Sequence, residues 1–182
     1  MKINGKFVYL RSLSIKDSKF IFNLRKIKNI SYYLHQPPKT LKDQKVWSEK
    51  NIKDNKTKDF IIVSKKKDKK IGTIALNNIN SNQAEWGRWI SVGSSIENVE
   101  ASILLINYGF QKLKLKKIYS LTNINNKKII NYHKNTPAKY DGVIASLFII
   151  KNKKTSAVKY SFYKKDFLNL KKSFYFMTQS IR

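Results

Sequence analysis

A chain of 182 residues is the length of one domain, expected to span 1–182, and it can remove roughly two-thirds of its unfolded surface from water. Hydrophobic residues at 41% and aromatics at 13% fit a globular protein. The absence of cysteine excludes disulfides and a thiol nucleophile, and two histidines (His35, His133) argue against a bound transition metal. The net charge is +27, but only Arg11, Arg25, Arg88 and Arg182 of the 38 basic residues are arginine, so lysine carries it.

In chain order, the alternating FVYLRSL predicts a strand over about Lys6 to Leu13. Asp17 opens a helix with Phe20, Ile21, Leu24 and Ile27 at helical spacing. Pro37 and Pro38 forbid regular helix between it and a second one, capped by Thr40 and bearing Leu41, Val46, Trp47 and Ile52. KDFIIVSKK, KIGTIALNNIN and QAEWGRWISVG then read as three antiparallel strands on short connections, the first two joined by a charged turn. NVEASILLINYGFQKL is a long helix with Val99, Ile103, Ile106 and Phe110 on one stripe. KKIYSLTN is a strand and NNKKIINYHKNT a short helix. GVIASLFIIKNKK and SAVKYSFYKKDFL form a terminal hairpin. Phe174, Tyr175, Phe176 and Met177 either pack back on the domain or serve an oligomer interface.

The N-terminus lacks the apolar run of a signal peptide, and no segment approaches 18 uninterrupted apolar residues. A cytoplasmic protein without a membrane partner, monomeric or homodimeric, is expected. Lysine, asparagine and isoleucine are abundant together, as in an AT-rich coding sequence. The lysines are scattered along the chain, whereas phosphate readers favour arginine forks. The expectation is a solvated lysine surface with no specific nucleic-acid partner, whose field attracts anionic small molecules.

The order strand, helix, helix, three strands, helix, strand, helix, two strands resembles that of the GNAT acyltransferase superfamily. Local sequence agrees. VYLRSLSIKDSKFIFNLRKIKNISYYL is similar to the opening strand and helix of its ribosomal-protein-alanine acetyltransferase branch. KKIGTIALNNIN, AEWGRWI and NNKKIINYHKN resemble the third strand, the Ala-Glu-x-Gly fourth strand and the Asn-x-x-x-Ile-x-x-Tyr helix. The resemblance covers about 6–168. It implies an α/β (α+β) acyl-coenzyme A N-acyltransferase fold, with a mixed, mostly antiparallel sheet of six to seven strands flanked by helices. It also implies acetyl-coenzyme A as co-substrate, no metal, and a sheet that splays near Ile90 to Val92.

Acyl transfer from a thioester to an amine needs a polarised carbonyl, a held pyrophosphate, a base for the amine and an acid for the thiolate. The resemblance places coenzyme contacts at Ile90, Ser91, Val92, Ser94, Ser95, Asn98 and Asn125, where a strand end meets a helix N-terminus. The segment ISVGSSIENVEAS departs from the family's Arg/Gln-x-x-Gly-x-Gly/Ala pattern, having one glycine. Tyr132, seven residues after Asn125, is the general-acid candidate; the other reading is a core tyrosine. Strand alternation puts Glu85, Gly87, Trp89 and Ser91 on one side and Trp86, Arg88 and Ile90 on the other. Glu85 is then the base, directly or through water, or else a surface residue paired with a lysine. Trp86 reads as core and His133 as structural. Arg25, His35, Trp47 and Trp89 are the candidate acceptor contacts.

The Glu-Trp-Gly-Arg-Trp strand and the Tyr-His helix end look most like GNAT proteins that acetylate nucleotide-linked amino sugars in surface-glycan pathways, such as the pseudaminic acid group. A small-molecule amine of that kind is the expected acceptor. A protein N-terminus is the alternative. A degenerate fold that holds an anionic partner without catalysis is the reading from a different class.

Overall fold

The computed structural model describes residues 1–34, 36–150 and 152–179, with side chains described as far as Tyr175. In chain order the elements are β1 (Lys2–Asn4), β2 (Val8–Ser12), a 3-10 turn (Ile15–Asp17), α1 (Ser18–Lys26), the single turn α2 (Lys28–Ser31), α3 (Leu41–Lys53), β3 (Lys58–Ser64), β4 (Lys69–Asn77) and β5 (Gln83–Ser91). They continue with α4 (Ser95–Gln111), β6 (Lys117–Asn123), α5 (Lys127–Lys134), β7 (Lys139–Ile150), β8 (Lys153–Tyr163) and α6 (Lys164–Gln179). One eight-stranded sheet runs β1-β2-β3-β4-β5-β6-β8-β7, antiparallel except for the β5–β6 pair. The parallel pair is the one whose connection is long enough to need a helix, α4.

Each sheet face buries a different set of alternate residues. Leu13, Ile21, Ile61 and Val63 pack with Phe20 and Trp47 under α1 and α3. Val8, Leu10, Phe60, Ile62, Ile74, Leu76 and Trp86 pack under α4 on the other face, with Phe167 and Phe174 of α6. Local polar groups start the helices. Thr40 and Asp43 form a reciprocal cap on α3, and Ser94 and Glu97 do the same on α4. Asp17 ties α1 to the sheet, since its carboxylate, 1% exposed, accepts two bonds from Arg11 at 2.7 and 2.6 Å and one from Lys70 at 3.0 Å. Burial alone would raise its pKa; the bonds from Arg11 and Lys70 win and hold it well below the usual carboxylate range.

Three expectations change. The sheet has eight strands rather than six or seven, because β1, three residues long, is too short to show a period. The stretch KKDFL ends no strand: Phe167, Leu170 and Phe174 stand at i, i+3 and i+7 and bury one face of α6. Phe174 therefore packs back on the domain with Tyr175 beside it; the side chains of Phe176 and Met177 lie outside the described residues. Finally, β5 leaves β6 earlier than expected. The two pair only from Gln83 to Trp86, opposite Lys117 to Ser120.

Candidate active site

The early separation has a local cause in β5. Thr73 of β4 opposes Ile90 and Ala75 opposes Gly87, so Ile74 faces two residues, Arg88 and Trp89. Arg88 has φ +51°, and its carbonyl accepts a bond from Thr73 Oγ1 at 3.0 Å. One extra residue in a strand bends it and resets its alternation. The faces inferred from unbroken alternation are corrected accordingly. Trp89 does not share a face with Glu85; it joins Trp86, with ring centroids 5.0 Å apart, on the α4–α5 side. Arg88 turns to the α1–α3 side, where it donates to Asn51 Oδ1 at 2.6 Å and to both oxygens of Asp59 at 3.1 and 2.9 Å. Its guanidinium lies 4.9 Å from the Trp47 ring centre.

A cavity of about 770 Å³ opens where β5 and β6 part. Its wall runs from Arg25, Tyr33 and Trp47 on the α1–α3 side, across Glu85 to Trp89, to Ser120, Thr122 and His133. Glu85 is half-buried and accepts a bond from Asn78 at 2.9 Å. Burial raises its pKa, and Asn78 and Arg88 offset this only in part. Gly87 keeps the strand close to it, since a Cβ there would lie 3.0 Å from Asn77 Nδ2 and 3.3 Å from Glu85 Oε1, so both side chains would have to give by a few tenths of an ångström. Asp59 is also pushed up by burial, against the pull of Arg88. Arg25 is pushed down, first by burial and then by Arg88.

Of the sequence-derived acceptor residues, Arg25, Trp47 and Trp89 line the cavity, and His35 lies outside the described residues. Glu85 lines it too. Tyr132 sits behind the wall, packed edge-on against Trp86 and Trp89, its hydroxyl 2.6 Å from Ser102 Oγ. Burial lifts its pKa to about 12, slightly offset by Ser102. The coenzyme candidates lie apart from the cavity wall. Ile90 is buried, Val92 is exposed, and Ser91 Oγ accepts from the Gly93 amide at 2.9 Å. Ser94 caps α4, Ser95 is its first residue, and Asn98 Nδ2 donates to Gly93 O at 2.9 Å. Asn125 is exposed in the β6–α5 connection, its amide bonded to Asn123 Oδ1. Past Trp86, β5 has no ladder with β6, so that edge is available to an extended polar chain such as a pantetheine arm.

Sequence reasoning passed over Arg88, Asn51 and Asp59 as a unit, and also Ser120. The scarcity of arginine in a lysine-rich chain was the available signal for Arg88. No cluster of three or more His, Cys, Asp or Glu able to hold a metal occurs among the described residues.

The acetyltransferase (GNAT) domain family matches residues 8–136. No curated protein sequence matches the chain. Among solved structures, a GCN5-related N-acetyltransferase from Brucella melitensis superposes with TM-score 0.83 at 18% identity, over 96% of this chain and 83% of that one. Apo FdhC, a nucleotide-linked sugar GNAT, gives 0.78 at 22% identity, over 96% of each chain. Spermidine N-acetyltransferase from Vibrio cholerae, in complex with CoA and spermine, gives 0.77 at 24% identity, over 91% of this chain and all of that one.

Proposed function

We infer, since the chain belongs to the GNAT acetyltransferase family, that it moves an acetyl group from acetyl-coenzyme A to the primary amine of a nucleotide-linked amino sugar. One observation carries the acceptor class. Among the described residues the cavity wall holds the cations Arg25, Lys39 and Arg88 and the carboxylates Asp43 and Glu85; Asp43 is bound into the Thr40 cap and Arg88 is paired with Asp59, which leaves Arg25 and Lys39 against Glu85. A polyamine acceptor, as in the spermidine enzyme, needs an excess of carboxylate, and the described residues of the wall lack it. A diphosphate-bearing acceptor suits the cations, and Tyr33, Trp47 and Trp89 offer faces for a sugar or base. The nucleotide-linked sugar enzyme among the similar structures is consistent with this reading.

The chemistry follows from placement. The amine approaches from the Arg25–Trp47 side and attacks the thioester carbon at the splay. Glu85 takes the amine proton, directly or through one water, and its raised pKa makes it a stronger base than an exposed carboxylate. The C–N bond forms and the C–S bond breaks in a ternary complex, since no cysteine can carry the acetyl group. Tyr132, kept as a neutral phenol by burial, is the proton donor to the departing thiolate, whose sulfur must pass the Trp86–Trp89 wall to reach the hydroxyl beside Ser102. The donor's pyrophosphate is assigned to the backbone of Val92 to Asn98.

Thiol release measured with acetyl-coenzyme A and a panel of acceptors tests this. Turnover is expected with nucleotide-linked amino sugars, and little with spermidine or with peptide N-termini. A preference for spermidine or a peptide would overturn the acceptor assignment.

A further inference from the structure

Ser120 is the last residue of β6 that pairs with β5, opposite Trp86, and so stands at the apex of the splay. His133 reaches it from α5, with Nε2 3.0 Å from Ser120 Oγ, and both residues line the cavity. The imidazole is 1% exposed. It stacks on Tyr160 at 4.9 Å between ring centres and meets Trp86, Tyr132 and Phe162 edge-on or tilted. No carboxylate or cation is among these neighbours, and burial lowers the ring's pKa to about 4, so it is neutral at physiological pH.

A neutral imidazole carries one proton, and its surroundings choose the nitrogen. Nδ1 of His133 is buried without a hydrogen-bond partner, and so is the indole Nε1–H of Trp86, whose ring centre lies 5.3 Å away. Nδ1 is unpartnered in either tautomer, as a bare acceptor or as a second orphaned donor beside the indole N–H, and an orphaned buried N–H is the costlier of the two. The proton therefore belongs on Nε2, where it is donated to Ser120 Oγ. The serine's own O–H is then left to donate towards the cavity.

We propose that the Ser120 hydroxyl is an oxyanion donor of the transfer reaction, with His133 as its positioning residue. This rests on the acetyl-transfer reading above. When the amine adds to the thioester carbon, the carbonyl π pair moves to oxygen, and that oxygen accepts the Ser120 hydrogen bond. Collapse returns the pair to the C=O bond and expels the thiolate. Ser120 keeps its proton throughout.

Steady-state kinetics of Ser120→Ala, Ser120→Thr, His133→Phe and His133→Gln, with the wild type's best acceptor, tests the assignment. Ser120→Ala should lower kcat about 100- to 1,000-fold, as loss of one oxyanion donor does, with the KM for acetyl-coenzyme A little changed. Ser120→Thr, which keeps the hydroxyl, should restore most of kcat. His133→Phe keeps a ring but no donor and should lose kcat; His133→Gln, with an amide N–H, should lose less. A Ser120→Ala kcat within about threefold of wild type, far below an oxyanion contribution, would overturn the proposal. Nitrogen-15 NMR gives a readout independent of activity and of folding of the alanine variant. A proton on Nε2 of His133 supports the proposal and a proton on Nδ1 sinks it. If the best acceptor is a polyamine, the acceptor assignment fails while the Ser120 test proceeds on that amine.

Discussion

Glu85, Tyr132 and His133 each have a protonation state set by burial, and each makes a measurable difference. A general base acts only when ionised, so activity should rise with pH through the pKa of Glu85. Burial raises that pKa, so the rising limb is expected above the ordinary glutamate value of 4.5. Glu85→Gln should flatten that limb; a limb unchanged in the variant would assign the base elsewhere. Tyr132→Phe keeps the ring against Trp86 and Trp89 but removes the hydroxyl. Turnover should fall about 100- to 10,000-fold while calorimetry shows coenzyme affinity retained. Turnover within about twofold of wild type, well short of a general-acid contribution, would leave Tyr132 as a packing residue held by Ser102. His133 makes a stability prediction. Its folded pKa of about 4 lies below the unfolded value near 6.5, so between these limits the unfolded chain binds a proton that the native chain does not. Stability is therefore lost as pH falls from about 6.5 to about 4, by about 3 kcal/mol in all. Melting temperatures of wild type and His133→Phe across that window check it, because the variant should lack this part of the loss.

At the scale of elements, α4 is fastened to the β1–β2 turn by one side chain. Glu100, with no exposed surface, accepts the backbone N–H groups of Lys6, Phe7 and Val8 at 2.6, 2.7 and 2.8 Å. Gly5 makes room for it, since a Cβ there would fall 2.5 Å from the Glu100 carboxyl carbon. Glu100→Gln replaces one acceptor oxygen with a donor that faces donors, and should cost about 2 to 4 kcal/mol in denaturant unfolding. A loss below about 0.5 kcal/mol, the size of ordinary surface changes, would show that the turn does not depend on the carboxylate. None of this is legible in the sequence, where Glu100 is one of several polar residues in a largely apolar helix. What is legible is the order of the longer elements, because strands and helices of about five or more residues show their periods. β1 and α2 are too short for that, and the aromatic run preceding α6 makes its first residues look like the end of a strand. The bulge in β5 escaped for a sharper reason. A positive φ at a non-glycine residue is uncommon, and alternation assumes an unbroken ladder. That single residue decides which side of the sheet Arg88 and Trp89 occupy. The residue types of the site could be read from one strand, but the Arg88–Asp59–Asn51 contact joins segments that only tertiary packing brings together.

The whole molecule carries a net charge of +27, far larger than anything local to the cavity, and this charge separates the acceptor classes without a bound structure. A field of that size draws anions towards the surface and repels cations before contact, which changes the rate of encounter more than the chemistry afterwards. Salt weakens it, since the screening length falls from about 30 Å at 0.01 M to about 8 Å at 0.15 M. For a diphosphate-bearing amino sugar, kcat/KM should therefore fall as salt is raised over that range, while kcat at saturation holds. A polyamine should behave in the opposite sense, with kcat/KM rising as repulsion is screened. A neutral amino sugar bearing no phosphate is the control and should show little dependence. The same lysines would bind nucleic acid without sequence preference and release it steeply with salt, as counterion release requires. The decisive measurement is initial rate against acceptor concentration at several salt concentrations. A kcat/KM for the nucleotide-linked acceptor that is flat with salt would mean that the lysine surface does not steer it. The charge would then be compositional, and recognition would fall to Arg25, Arg88 and the aromatic wall alone.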